Sequence, residues 1–206
     1  MGVGLFGAGC EGDSSPSHDF GDNDKNLYVA MGDSITWGVN VTPYPTILSE
    51  YLGKTVVNEG YSGEHAYEGA RRVAAELAAY KPGYLLILYG ANDLLHFIPE
   101  DDIEGNLRFM ITKAKEAKTI PVIATLTPMV RTRGFFNDAV KSLNVRIRRM
   151  AKEEGVKLVD LERHFGNRDD DADPYVLDDD DYLQWDGLHP NQEGTRRMAL
   201  AFLDAL

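Results

Sequence analysis

Three side chains that lie far apart in the chain are of the types that together break acyl bonds. Ser34 stands in Gly32-Asp33-Ser34-Ile35-Thr36, after the apolar run Leu27-Tyr28-Val29-Ala30-Met31. A strand ending in Gly-Asp-Ser sets a small hydroxyl at the carboxyl edge of a sheet, where open α/β folds build their sites. A serine hydroxyl is a weak nucleophile at neutral pH and needs a base to take its proton. The histidines are His18, His65, His96, His164 and His189; His18 falls in a polar N-terminal tether and is set aside. His189 follows Asp186 in Asp186-Gly187-Leu188-His189-Pro190. A carboxylate so near in sequence can hold the imidazole tautomer and stabilise the imidazolium formed during attack. The order Ser, Asp, His is one known arrangement of such a triad. The serine is not in a Gly-x-Ser-x-Gly elbow, so the ordinary α/β-hydrolase pattern is absent.

Acyl transfer also needs donors aimed at the developing oxyanion. Asn58-Glu59-Gly60-Tyr61-Ser62-Gly63 offers glycines whose backbone N–H groups can approach a ligand closely, and Gly90-Ala91-Asn92-Asp93 offers the Asn92 amide. Alone, the glycine-rich segment reads first as a turn and the Asn-Asp pair first as a helix cap; both following strands, beside Ser34, they read as one site. His96 reads as a pocket residue with Leu94 and Leu95, or as a surface or packing histidine. His65 flanks the cleft with Glu64 as its nearest carboxylate. Trp185 and Met129 are each pocket wall or core. Asp33 reads as a buried hydrogen-bond acceptor at the strand end rather than a catalytic acid.

The elements that must position these groups alternate along the chain. β-rich runs occur at Leu27–Met31, Thr55–Asn58, Tyr84–Tyr89, Ile120–Leu126 and Val156–Leu161. Between and after them, helix-period faces are marked by Val73, Leu77 and Tyr80; by Ile103, Leu107, Met110, Ile111 and Ala114; by Val140, Leu143, Ile147 and Met150; and by Ala199, Phe202, Leu203 and Leu206. Asn191 is the expected N-cap of the last helix. Strict alternation predicts βαβ units and hence a three-layer α/β/α sandwich on a five-stranded parallel sheet.

The totals bound the rest. A chain of 206 residues, 43% hydrophobic and 26% charged, suits one soluble domain, expected over 26–206. The net charge of −12 argues against nucleic acid or an anionic membrane as the main partner. No apolar run reaches the length of a transmembrane helix. The single cysteine, Cys10, excludes an internal disulfide and a cysteine metal cluster. It follows Val3-Gly4-Leu5-Phe6-Gly7-Ala8-Gly9, which resembles the processing site of a bacterial lipoprotein, and precedes a polar acidic tether. The expectation is a leader over 1–25 and an exported protein, periplasmic or lipid-anchored at Cys10. The alternative is a leader of no consequence on a cytoplasmic protein. The aspartates at 169–173 and 178–181 lack the spacing of a calcium loop and read as a solvated acidic loop.

Gly32-Asp33-Ser34, the Asn-x-Gly-x-x-Gly at 58–63, Gly-x-Asn-Asp at 90–93 and Asp-x-x-His-Pro at 186–190 resemble, in order, the four motif blocks of the SGNH (GDSL) hydrolases. In size the chain is similar to their compact bacterial thioesterase, lysophospholipase and arylesterase branch. The resemblance implies a flavodoxin-like fold, with Ser34 as nucleophile, His189 as general base then acid, and Asp186 orienting it. It implies an oxyanion hole of the Ser34 N–H, the Gly63 N–H (Gly60 being the lesser candidate) and the Asn92 amide. It implies a serine esterase for short acyl or aryl esters, thioesters or lysophospholipids, with carbohydrate O-acetyl esters as the alternative. Neither metal nor organic cofactor is called for. Trp37, Leu94, Leu95 and Trp185 would line the substrate pocket, and a monomer is expected. A non-catalytic binding module would need a broken constellation, which is not seen. A phosphatase would need Asp-x-Asp after the first strand, where Asp33 is followed by Ser34-Ile35.

Overall fold

The computed structural model describes residues 18–166 and 182–206. Cys10 and the acidic stretch 169–181 lie outside the described residues. The strands are β1 (Asp24–Gly32), β2 (Thr55–Gly60), β3 (Pro82–Leu88), β4 (Ile120–Ala124) and β5 (Lys157–Val159). They form one parallel sheet in the order β2-β1-β3-β4-β5, which is the three-layer sandwich expected. β1 and β3 are flanked on both edges and covered on both faces. Their runs Tyr28–Gly32 and Leu85–Leu88 are accordingly buried and lack the alternation of a half-exposed strand.

Helices α3 (Ala66–Tyr80), α5 (Glu100–Glu116) and α6 (Asn137–Glu154) pack in a row; α2 (Tyr44–Leu52) packs on α8 (Gln192–Ala205). The predicted apolar stripes of α5 and α6 face inward without exception. In α3, Val73 and Leu77 are buried and Tyr80 partly so; in α8, Ala199 and Phe202 are buried while Leu203 and Leu206 are partly covered. Asn191 caps α8 by accepting from the N–H groups of Glu193 and Gly194. Short helices α1 (Ser34–Trp37), α4 (Ala91–Leu95) and α7 (Leu161–Phe165) follow β1, β3 and β5.

Two features differ from the sequence reading. The fold begins before residue 26: the Asp24 N–H donates to Lys81 O at 2.9 Å, and Asn23 Nδ2 donates to Ala117 O at 2.7 Å. His18, set aside with the tether, lies with Nε2 3.0 Å from Lys118 O. Polar side chains there close off loop carbonyls at the amino edge of the sheet, a role that composition does not reveal. Helix α2 has no counterpart in the predicted faces. Pro45 sits in its first turn, where a missing N–H costs nothing, and Tyr44 stacks on Phe202 with centroids 4.7 Å apart.

Candidate active site

β1 pairs with its neighbours so that Gly32 stands level with Gly60 of β2 and Leu88 of β3. Three strands therefore end at one height, and the segments leaving them carry Ser34, Gly63 and Asn92. This edge is also where the strand order reverses, beside β1, the switch point at which open α/β sheets form a crevice.

Ser34 opens α1. Asp33 caps that helix by accepting the Ile35 N–H at 2.8 Å, which turns the chain sharply enough to present the Ser34 side chain. Asn58 fastens the end of β2 to α1: its Nδ2 donates to Thr36 O at 3.0 Å while its Oδ1 accepts the Gly60 N–H at 3.0 Å. The two glycines of this segment now separate. A Cβ on Gly60 would meet the Trp37 backbone nitrogen at 2.3 Å, so Gly60 is a packing glycine between β2 and α1. Gly63 has φ +82° and nothing within 4 Å of a Cβ, so it turns the chain with open space beside it.

The Ser34 Oγ lies 2.8 Å from His189 Nε2, although 155 residues separate them. His189 Nδ1 lies 2.5 Å from Asp186 Oδ2, and Asp186 Oδ1 accepts the N–H groups of Leu188 at 3.0 Å and His189 at 3.1 Å. Burial works against charge on Asp186, but those two N–H groups and the imidazole outweigh it and hold the carboxyl below its usual range. A carboxylate facing Nδ1 fixes the proton there and leaves the Nε2 lone pair toward the serine. The loop itself is held from outside the sheet. The Gln184 N–H donates to His189 O at 2.8 Å, the Val130 N–H to Gly187 O at 2.9 Å, and Arg133 Nη1 to Asp186 O at 2.8 Å.

Asn92 is 8% exposed, and its Nδ2 donates to Glu64 O at 3.0 Å. An amide nitrogen carries two hydrogens, so one remains to be aimed elsewhere. Among the described residues the N–H groups of Ser34 and Gly63 have no acceptor.

One support was not legible in the sequence. Arg72 grips Glu64 with two bonds of 2.7 Å and donates to Glu59 O, while Tyr89 Oη donates to Glu64 Oε2 at 2.7 Å. This clamp fixes the turn around Gly63. Arg72 lies one helix entry away from that turn, and no short motif marks such a pairing. It also corrects the expectation for His65: Glu64 is engaged by Arg72, and the carboxylate beside His65 Nδ1 is Glu68 at 3.2 Å.

The proposed pocket wall is only partly assembled. Leu94 is 5% exposed and belongs to the core, on a short helix that packs on α6; Leu95 is partly buried against the core. Trp37 is half exposed, and Trp185, next to Asp186, is 86% exposed, so it is not core. Met129 is buried. Asp33 is buried, as its reading as a structural acceptor requires.

Burial pushes the Asp33 carboxyl up to about 7, against the pull of the Ile35 N–H, with Asp93 and Glu64 adding repulsion. Between the unfolded value of 3.8 and about 7 the folded chain holds a proton that the unfolded chain has lost. Stability therefore falls as pH rises through that window. Asp33→Asn keeps an oxygen for Ile35 and removes the charge. Its stability relative to the parent is expected to rise from pH 4 to 7.5 by up to about 4 kcal/mol, read from denaturant melts at several pH values. A difference independent of pH would show that Asp33 ionises normally.

The arrangement defines an α/β/α hydrolase in which a serine, an imidazole and a carboxylate meet at the carboxyl edge of a parallel sheet. The chain belongs to the GDSL-like lipase/acylhydrolase family, whose pattern matches residues 30–197, and it is a carboxylic ester hydrolase. It is 25% identical over 174 residues to the thioesterase 1/protease 1/lysophospholipase L1 of Escherichia coli K12, covering 80% of this chain and 76% of that protein. It is 28% identical over 170 residues to an acetylxylan esterase of Geobacillus stearothermophilus, covering 74% and 72%. A solved lipolytic protein of the G-D-S-L family from Desulfitobacterium hafniense has the same fold, with TM-score 0.77 and 24% identity over 88% of this chain and 100% of that one.

Proposed function

We propose that the protein is a serine esterase of short acyl or aryl esters, in which Ser34 is the nucleophile, His189 the general base and then acid, and Asp186 the residue that orients it. The observation that carries this reading is the unbroken line from Ser34 Oγ through His189 to Asp186, with contacts of 2.8 and 2.5 Å. Ser34 Oγ adds to the ester carbonyl carbon while its proton passes to His189 Nε2. The tetrahedral oxyanion receives hydrogen bonds from the N–H groups of Ser34 and Gly63 and from the free hydrogen of Asn92 Nδ2. Collapse of the intermediate breaks the carbon–oxygen bond, and His189 returns the proton to the leaving alcohol. Water then repeats the two steps on the acyl-enzyme and releases the acid.

Thioesters and lysophospholipids extend this reading, since the E. coli relative is a thioesterase and lysophospholipase by name. Carbohydrate O-acetyl ester cleavage is the second reading, favoured by the likeness to an acetylxylan esterase. A series of p-nitrophenyl esters from about two to sixteen carbons, run beside acetylated xylan, separates them. Highest kcat/KM on the two- to six-carbon esters supports the first; activity confined to acetylated xylan supports the second. Fluorophosphonate should label Ser34, and a chain that stays unlabelled and inert on every ester would overturn both. Asn92→Ala is expected to lower kcat about 10²–10³-fold with little change in KM, the loss typical of one oxyanion donor. An unchanged kcat would exclude Asn92 from that role.

A further inference from the structure

We propose that His65 and His96 form a positioning pair that locks together the two segments carrying the Gly63 and Asn92 oxyanion donors. The inference rests on the reading of those donors given above. His65 is the N-cap of α3, just beyond the Gly63 turn, and His96 is the C-cap of α4, one helical turn after Asn92. Their rings stand 4.9 Å apart, tilted by 59°.

One assignment of the ring protons serves these contacts together. His96 Nδ1 lies 2.8 Å from Asn92 O, which can only accept, so the proton is on Nδ1. The same Nδ1 lies 3.2 Å from His65 Nε2. In that assignment His65 Nδ1, 3.2 Å from Glu68 Oε2, donates to the carboxylate and Nε2 presents its lone pair. The His96 Nδ1–H is thus shared between the Asn92 carbonyl and His65, and the proton arrangement is consistent from Glu68 to Asn92.

Two inner contacts join the same segments: Asn92 Nδ2 to Glu64 O at 3.0 Å, and the Ala66 N–H to both oxygens of Asp93 at 3.0 and 3.2 Å. Both lie on the sheet side. The imidazole pair is the tie on the solvent side, where the chain turns through Gly63 with open space around it. Tyr67, with its ring 5.7 Å from His65, and Glu68 are the other groups against the pair. Losing the outer tie leaves the donors present but less well aimed. An oxyanion contact is made in the transition state and not in the ground state, so the loss falls on kcat and spares KM.

The test uses His65→Ala, His96→Ala and the double variant on p-nitrophenyl acetate, with thermal melts alongside. Each single variant is expected to lose about five- to tenfold in kcat, the effect of one hydrogen bond, with KM within about twofold. The double variant should be no slower than the slower single one, because both remove the same contact. An asparagine amide reaches the place of an imidazole Nδ1, and a glutamine amide that of Nε2. His96→Asn and His65→Gln should therefore return kcat to within about twofold of the parent, whereas His96→Gln should not. These polar variants carry the test if the alanine variants fail to fold. Parent-like kcat in the singles, losses that multiply in the double, or equal rates for His96→Asn and His96→Gln would each overturn the pairing. Asn92→Ala run in parallel separates the two levels. If it too leaves kcat unchanged, the oxyanion reading fails; if it alone lowers kcat, only the pairing fails.

Discussion

Ser34→Ala is expected to lower kcat on p-nitrophenyl acetate by about 10⁶-fold, with loss of fluorophosphonate labelling and an unchanged fold. The substitution deletes one oxygen at a site 8% exposed, so the lost packing is small and thermal melts should be close to the parent's. What disappears is the proposed attacking atom: among the described residues the hydroxyl at hydrogen-bond distance from His189 Nε2 is Ser34 Oγ, 2.8 Å away. A residual rate of about 10³–10⁴-fold over water should survive, since the proposed oxyanion donors remain to bind the transition state of direct attack by water. A variant as fast as the parent would remove Ser34 from the nucleophile's role.

Asp186→Asn should cost about 10⁴-fold in kcat by a different route, with the loop geometry preserved. The asparagine oxygen can still accept the N–H groups of Leu188 and His189, so the turn keeps its backbone bonds. Its NH₂ group then faces His189 Nδ1 and demands a lone pair there. The ring proton moves to Nε2, and the nitrogen that should accept from Ser34 becomes a donor. The imidazolium formed during attack also loses its counter-charge. Kinetics with melts on the same sample check this. A loss under about tenfold would mean that Asp186 serves the loop's shape and not the tautomer.

The sequence was most transparent where one residue type does one local job. The buried runs of β1 and β3 are covered on both faces and read as continuous apolar stretches; the α5 and α6 stripes read at helical period; Asn191 caps where a cap was expected. The meeting of Ser34, His189 and Asp186 is legible because each sits just after a strand end or in a tight turn, so local order predicts position. What stayed hidden depends on where elements meet. Arg72 reaches the Gly63 turn only because α3 packs on β1, which brings its second turn to Glu59 and Glu64. In sequence His65 has no obvious carboxylate beyond its neighbour Glu64, because adjacency ignores the helix start, which brings the third residue on, Glu68, back to the cap. Leu94 looked like a pocket wall because its chemistry is apolar; whether it faces a cleft or the core depends on the roll of a five-residue helix. Helix α2 has no counterpart among the predicted faces, and its Pro45 fits a helix only in the first turn.

The position of the Asp186–His189 loop sets an order in time as well as in space. Ribosomes add roughly 5–20 residues per second, so the 155 residues between Ser34 and His189 delay the imidazole by some tens of seconds at the slow end. Through that interval the nascent chain can pair β1, β2 and β3 and shape the turn at Gly63 while the serine has no base. The imidazole follows β5 in the chain and directly precedes α8, which is capped by Asn191 two residues after His189 and packs on α2. On the proposed mechanism, an esterase made in this order has no base for its serine until the turn before α8 is made.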